Sequence, residues 1–194
     1  MTDMLHTLQF HLRHQKLWLL LVVLCLALQW FQLDTAFDRS AIQQGEVWRL
    51  LSAHITHLNW NHFWLNMAGI LVVMLFFSHY QSTMYWLGAI IFVSLFCSAG
   101  LMLDMQLNRY VGFSGVLHGL FLIGARYETC RYKLSGMVLW VLIVAKLMWE
   151  QLYGAMPGSE EMTGGRVAVN AHLYGAVGGV VFLLLHEKVW KLLK

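Results

Sequence analysis

Charge is what this chain has least of. Only 12% of its 194 residues are Asp, Glu, Lys or Arg, while 59% are hydrophobic. A soluble domain of this length carries about twice that charged fraction. Proline is nearly absent, with Pro157 alone, and no polar low-complexity stretch occurs, so long linkers and disordered arms are excluded. The three cysteines, Cys25, Cys97 and Cys130, are far apart and form no CxxC. That argues against a disulfide framework and a cysteine-based zinc site. H-E-x-x-H is missing too, and with it the usual helical zinc-protease motif. No basic stripe with interleaved aromatics is present, so nucleic acid is not an expected partner.

What remains is apolar runs. Leu50 to Leu103 is 54 residues without a charge, enough for two crossings of roughly 20 residues each. The polar turn Ser78-His79-Tyr80-Gln81-Ser82-Thr83 divides them. Further gaps cover Leu17–Leu33, Tyr110–Ala125 and Val167–His186, and Leu134–Tyr153 is interrupted only by Lys146 and Glu150 among charged residues. The expected architecture is an all-α integral membrane protein, a single domain over 1–194. Its six transmembrane helices are expected at about 17–33, 58–77, 84–103, 112–127, 134–154 and 168–186, with membrane lipids around them. The first run is longer than a signal-peptide core and no small-x-small cleavage site follows, so it reads as a retained helix.

Basic loops stay in the cytoplasm. With the N-terminus inside, the cytoplasmic segments hold Arg13, Lys16, Arg126, Arg131, Lys133, Lys188, Lys191 and Lys194. The opposite side holds Arg39, Arg49, Arg109 and Arg166. Both termini are therefore expected in the cytoplasm.

Polar groups inside a membrane are costly and are functional candidates. Here they gather in the outer half: His54, His57, His62, Asn66, Ser114, His118, Lys146, Glu150, Asn170 and His172. Ser114, within Gly112-Phe113-Ser114-Gly115, opens the fourth helix, where free backbone N–H groups could stabilise an oxyanion. Glycine and serine also mark ordinary packing between membrane helices. His172 lies one turn into the last helix, above Gly175 and Gly179, a small-residue stripe that lets two helices close together. An interfacial histidine that merely makes a hydrogen bond fits the same pattern. His62 and Asn66, four apart, share a helix face and could donate to an oxyanion. His54 and His57 read as surface or interface residues at the membrane boundary. A serine nucleophile, an imidazole base and side-chain donors together complete an acyl-transfer site. Histidines at one depth could instead hold haem or a metal between helices, although no paired pattern of facing ligands is evident.

These motifs resemble the rhomboid family of intramembrane serine proteases, over about Trp48 to Leu185. Trp48-Arg49 resembles the Trp-Arg of the first outer loop, and His62-Phe63-Trp64-Leu65-Asn66 the H-x-x-x-N whose His and Asn line the oxyanion hole. Gly112-Phe113-Ser114-Gly115 resembles G-x-S-G with the nucleophile, and Ala171-His172 with Gly175 and Gly179 the last helix with the base. The resemblance implies a six-helix rhomboid-like bundle, a Ser114–His172 dyad, and no metal or cofactor. Gly112 and Gly115 flank the nucleophile as supporting residues.

Two positions depart from the pattern. His118 stands where many rhomboids have a tyrosine stacked on the catalytic imidazole. Being four residues from Ser114, it competes as base, though a supporting role by stacking or hydrogen bonding is expected. Lys146 and Glu150 form an i,i+4 pair, either structural or in contact with substrate. Both departures, with the short loops, resemble the rhombosortase subfamily. That implies exported protein substrates bearing a C-terminal Gly-Gly, one transmembrane anchor and a basic end. The implied reaction is cleavage near the glycines, with transfer of the new C-terminus to an amine acceptor as a variant. The implied location is the inner membrane of a Gram-negative bacterium, with the site opening to the periplasm. A relative that binds membrane helices as a chaperone without catalysis would not need both Ser114 and His172.

The topology predicts a cytoplasmic signal from a reporter fused after Lys194 and a periplasmic signal from one at Gly158. A periplasmic signal at Lys194 would invert the orientation and overturn it.

Overall fold

The computed structural model describes the backbone of residues 2–192 and the side chains of residues 15–187. The side chains of Arg13, Lys188, Lys191 and Lys194, counted above for the topology, lie outside the described residues.

Five long helices and one of middle length carry the chain: α1 (Thr2–Phe31), α4 (Trp60–Phe76), α5 (Thr83–Leu103), α6 (Ser114–Arg131), α7 (Lys133–Tyr153) and α9 (Val169–Leu192). Short helices α2 (Arg39–Gln43), α3 (Arg49–Ser52) and α8 (Ser159–Thr163) lie in the connections, and β1 (Phe37–Asp38) pairs antiparallel with β2 (Arg109–Tyr110). The starts of the helices follow ordinary capping chemistry. Asn59 accepts from the His62 N–H ahead of α4, and Ser82 accepts from the Tyr85 N–H ahead of α5. The polar turn expected at 78–83 is thus a 3-10 turn at Ser78–Tyr80 followed by the α5 cap.

Among the described residues, four segments are long and apolar enough to cross a membrane: Trp60–Tyr80, Thr83–Leu103, Lys133–Tyr153 and Val169–Glu187. The helices expected at 17–33 and 112–127 exist as helices but do not meet that measure. Of α1, the stretch whose side chains are described, Gln15–Phe31, is apolar, and α6 carries Arg126, Glu128 and Arg131 within its 18 residues. The reason α6 tolerates this composition is its place. It packs against α4, α5, α7 and α9, and Gly115 to Leu120 and Leu122 to Ala125 are all buried. A helix surrounded by protein has no lipid to satisfy.

The main core runs along α6, joining Phe63, Ile70, Val73, Trp86, Val93, Phe113, Val116, Leu120 and Ile123, with Trp18 of α1 closing one side. Lipid-facing positions show the opposite pattern. On α7, Met137, Val138, Val141, Leu142 and Met148 are exposed apolar side chains, as expected where lipid replaces water.

The closest approach is between α6 and α9. A Cβ placed on Gly175 would lie 1.8 Å from the Gly115 carbonyl oxygen, and one on Gly179 would lie 2.5 Å from the Gly119 oxygen. Gly119 in turn faces the Gly175 oxygen at 2.5 Å. The helices therefore meet backbone to backbone, as small-residue stripes permit. Alanine at Gly175 would gain about 1 kcal/mol of helix propensity. It would also collide with a main-chain atom that no side-chain rotation can move, and such overpacking costs about 1–3 kcal/mol or more. We expect Gly175→Ala to lower the thermal unfolding midpoint in detergent. An unchanged midpoint would mean that the helices are not held at this distance.

Candidate active site

The connections at one end of the bundle are fastened by two arginines. Arg39 donates to the carbonyls of Leu101, Met102, Asp104 and Leu107 at 2.7–2.9 Å. These include carbonyls left open by the last turn of α5, where a cation is favoured. Arg49 is bound to Glu46 at 2.7 Å and donates to the Ala36 carbonyl at 2.8 Å, with its guanidinium 4.6 Å over the Trp48 ring. The Trp48-Arg49 motif is thus a clasp on the first long connection.

That clasp and the β1–β2 pair lead into Gly112. Its φ of +123° suits glycine, and its N–H donates to the Ala53 carbonyl at 3.0 Å. A Cβ there would lie 2.6 Å from the His62 ring, so glycine also makes room for that imidazole. The turn delivers Ser114 as the first residue of α6. Phe113, the residue before it, makes no side-chain capping bond, so the first-turn N–H groups of α6 have no intrahelical acceptor.

Ser114 Oγ lies 3.0 Å from His172 Nε2, across the α6–α9 contact. On its other side, His172 Nδ1 faces both oxygens of Glu150, at 2.9 and 3.1 Å. Glu150 Oε1 is 2.6 Å from Lys146 Nζ. His118 stacks on His172, with ring centroids 4.2 Å apart and planes 20° from parallel. Its Nδ1 is 2.7 Å from the Ser114 carbonyl oxygen. An acceptor there fixes Nδ1 as the donor, so the contact of His118 with Ser114 is through the backbone and not through Oγ.

The site opens into a cavity of about 1180 Å³, whose lining includes His62, Asn66, Ser114, His118, Glu150 and His172. Lys146 and Asn170 also reach it. All the candidates singled out on the helices therefore meet in one place. Asn66 donates one amide hydrogen to the His62 carbonyl at 2.9 Å. Asn170 donates to Asp104 at 2.7 Å, which ties the start of α9 to the end of α5.

His54 and His57 differ from the expected boundary positions, because both are buried. His54 Nε2 lies 2.9 Å from Ser98 Oγ and its ring packs edge-on to Tyr110. His57 packs edge-on to His62 and Phe63. Burial pushes the imidazoles down, to about 4 for His54 and about 3 for His57, so both are neutral at physiological pH. His54 packs behind the cavity wall, whereas His57 is part of its lining. The link missed from the sequence is Glu150 to His172. The signal was available, since Glu150 and His172 fall at one depth on helices of opposite direction.

Among the described residues, one group of histidine and acidic side chains has ligand atoms close enough for a metal: His118, Glu150 and His172, within 4.8 Å of one another. Those atoms already serve each other and their neighbours, and the Lys146 ammonium stands beside the carboxylate where a cation would be attracted.

The four apolar spans found among the described residues mark a multi-pass membrane protein, with a serine–imidazole contact inside its helical bundle. The family model for the Rhomboid domain matches residues 44–188, and the chain belongs to the rhomboid family, whose members are in general intramembrane serine proteases. No curated protein and no solved structure matches the chain.

Proposed function

We propose that this protein is an intramembrane serine endopeptidase of the rhombosortase kind. The observation that carries the reading is Ser114 Oγ at 3.0 Å from His172 Nε2, at the start of a buried helix and open to a large cavity. Ser114 attacks the scissile carbonyl and its proton passes to His172, which then protonates the departing amine. The first-turn N–H groups of α6, with His62 and Asn66 in the same cavity, are the donors for the oxyanion. His118 supports the base by stacking and holds the Ser114 carbonyl. Its own ring is engaged there, which favours His172 over His118 as base.

In this reading α1 and α6 complete six crossings, and both termini are cytoplasmic. The cavity faces the periplasm of a Gram-negative cell, across its inner membrane. The helical lining comes from the C-terminal ends of α1 and α7 and the N-terminal ends of α4, α6 and α9, with Asp104 just after α5, as alternating crossings require.

The substrate class follows from the chemistry of a helix in a bilayer. A stable transmembrane helix ties up its carbonyls in hydrogen bonds, and glycines at its outer end ease unwinding. The cavity is larger than most small-molecule sites, which span about 300–1,000 Å³, and suits an extended peptide. The subfamily reading rests on His118 and on Lys146 with Glu150, the positions that set this chain apart from the common rhomboid pattern. It puts cleavage near the Gly-Gly of an exported protein's C-terminal anchor, with water or an amine as the acceptor of the acyl group.

Two predictions test these levels separately. A fluorophosphonate should form one adduct, on Ser114, and Ser114→Ala and His172→Ala should each abolish it while the protein remains folded in the membrane. Loss of labelling in His118→Ala with retention in His172→Ala would make His118 the base. For the substrate, mass spectrometry of an exported partner's C-terminus should find it cut near the Gly-Gly only when active enzyme is present. An end far from the glycines would remove the subfamily reading and leave the protease one standing.

A further inference from the structure

The carboxylate of Glu150 lies deeper than an ion pair with Lys146 requires. Lys146 is 36% exposed through its side chain, whereas Glu150 is 2% exposed. An i,i+4 pair whose only task is mutual neutralisation gains most of its modest stabilisation at a wet surface. Here the carboxylate turns inward and aims both oxygens at His172 Nδ1.

The tautomer follows from that contact. Nδ1 has two neighbours, the Glu150 carboxylate at 2.9 Å and the Lys146 ammonium at 3.5 Å. A lone pair on Nδ1 would suit the ammonium but would face two carboxylate oxygens. A proton on Nδ1 satisfies the nearer partner. With Nδ1 protonated, the neutral ring carries its lone pair on Nε2, and Nε2 faces the Ser114 hydroxyl. The same orientation could not arise from packing alone, since an imidazole rotated by half a turn occupies nearly the same space.

We infer that Glu150 is a positioning residue that makes the site a Ser114–His172–Glu150 triad, with Lys146 setting how strongly the carboxylate acts on the imidazole. This rests on the protease reading and goes beyond the two-residue site that the family resemblance implies. In the attack step the Ser114 Oγ–acyl bond forms and the hydroxyl proton moves to Nε2. The ring becomes an imidazolium whose Nδ1–H remains on Glu150. Glu150 stays ionised throughout. The Nε2 proton then leaves with the amine as the peptide bond breaks.

Lys146 acts in the opposite sense. Its ammonium stabilises the buried carboxylate and repels an imidazolium. Among the described residues, the other titratable groups that act on His172 are His118 on α6 and His62 on α4, and both stay in place in the variants below.

The test is the rate of fluorophosphonate labelling of the full-length protein in detergent, as a function of probe concentration and pH. The Oγ–phosphorus bond forms, fluoride leaves, and the proton departs through His172, so the base is read without a natural substrate. In Glu150→Gln the limiting rate should fall about 10²-fold or more, as when a triad carboxylate is replaced by its amide, with half-saturation unchanged. The pH of half-maximal labelling should move down in Glu150→Gln and up in Lys146→Met. A structural role for the pair would not move the two variants in opposite directions. The double variant Lys146→Met/Glu150→Gln leaves no unpaired charge and guards against misfolding; it should remain as slow as Glu150→Gln. A wild-type rate and pH profile in Glu150→Gln or the double variant would overturn the triad. Absence of Ser114 labelling in the wild type would instead remove the protease reading beneath it.

Discussion

The contact between the main chains of α6 and α9 is the constraint on which the site depends. Gly175 sits against the Gly115 carbonyl, and Gly179 against that of Gly119. No side chain intervenes, so the distance between the helices is set by main-chain atoms with no rotamers to vary. Ser114 lies one residue before Gly115, and His172 lies three before Gly175. A hydrogen bond of 3.0 Å between their side chains is therefore a product of helix register. Close packing of this kind transmits strain instead of absorbing it.

Around this contact the chain solves a second problem, that of keeping polar groups inside an apolar bundle. Most have a named partner, although the two ring nitrogens of His57 have none. Glu150 serves His172 and Lys146, His118 holds the Ser114 carbonyl, and Asn170 holds Asp104. Arg39 does the same for the carbonyls at the end of α5. Satisfied buried networks of this sort are stiff, and a half-satisfied one would be worse than an apolar core. The polar cluster is thus the proposed reactive part of the molecule, held by a shared set of hydrogen bonds.

Much of this was legible from the residue pattern, for physical reasons. Charge-free runs mark apolar spans, and glycine stripes mark helix contacts, as Gly175 and Gly179 do where α9 meets α6. The i to i+4 rule put His62 and Asn66 on one face. Two things were hidden. Burial of the loop histidines depends on how the connection from Trp48 to Asn59 folds back over the cavity, and a local pattern carries no record of that. The bond from Glu150 to His172 joins helices 22 positions apart, and the neighbouring Lys146 offered the carboxylate a nearer and sufficient partner. An i,i+4 pair conceals any third contact that the carboxylate makes.

The composition of α6 has a consequence for biogenesis. Its glycines, His118, Arg126, Glu128 and Arg131 give it little affinity for lipid, because each charged or small polar residue weakens partitioning from the translocon. Once assembled it is sheltered by four neighbours, but in the proposed six-crossing arrangement it meets the bilayer before α7 and α9 exist. Only Tyr132 separates it from the far more apolar α7. The two helices are best inserted as one hairpin, with α7 supplying the hydrophobicity that α6 lacks. The small and polar residues that let α6 pack at the centre of the bundle are then also those that make it dependent on α7 for entry into the membrane.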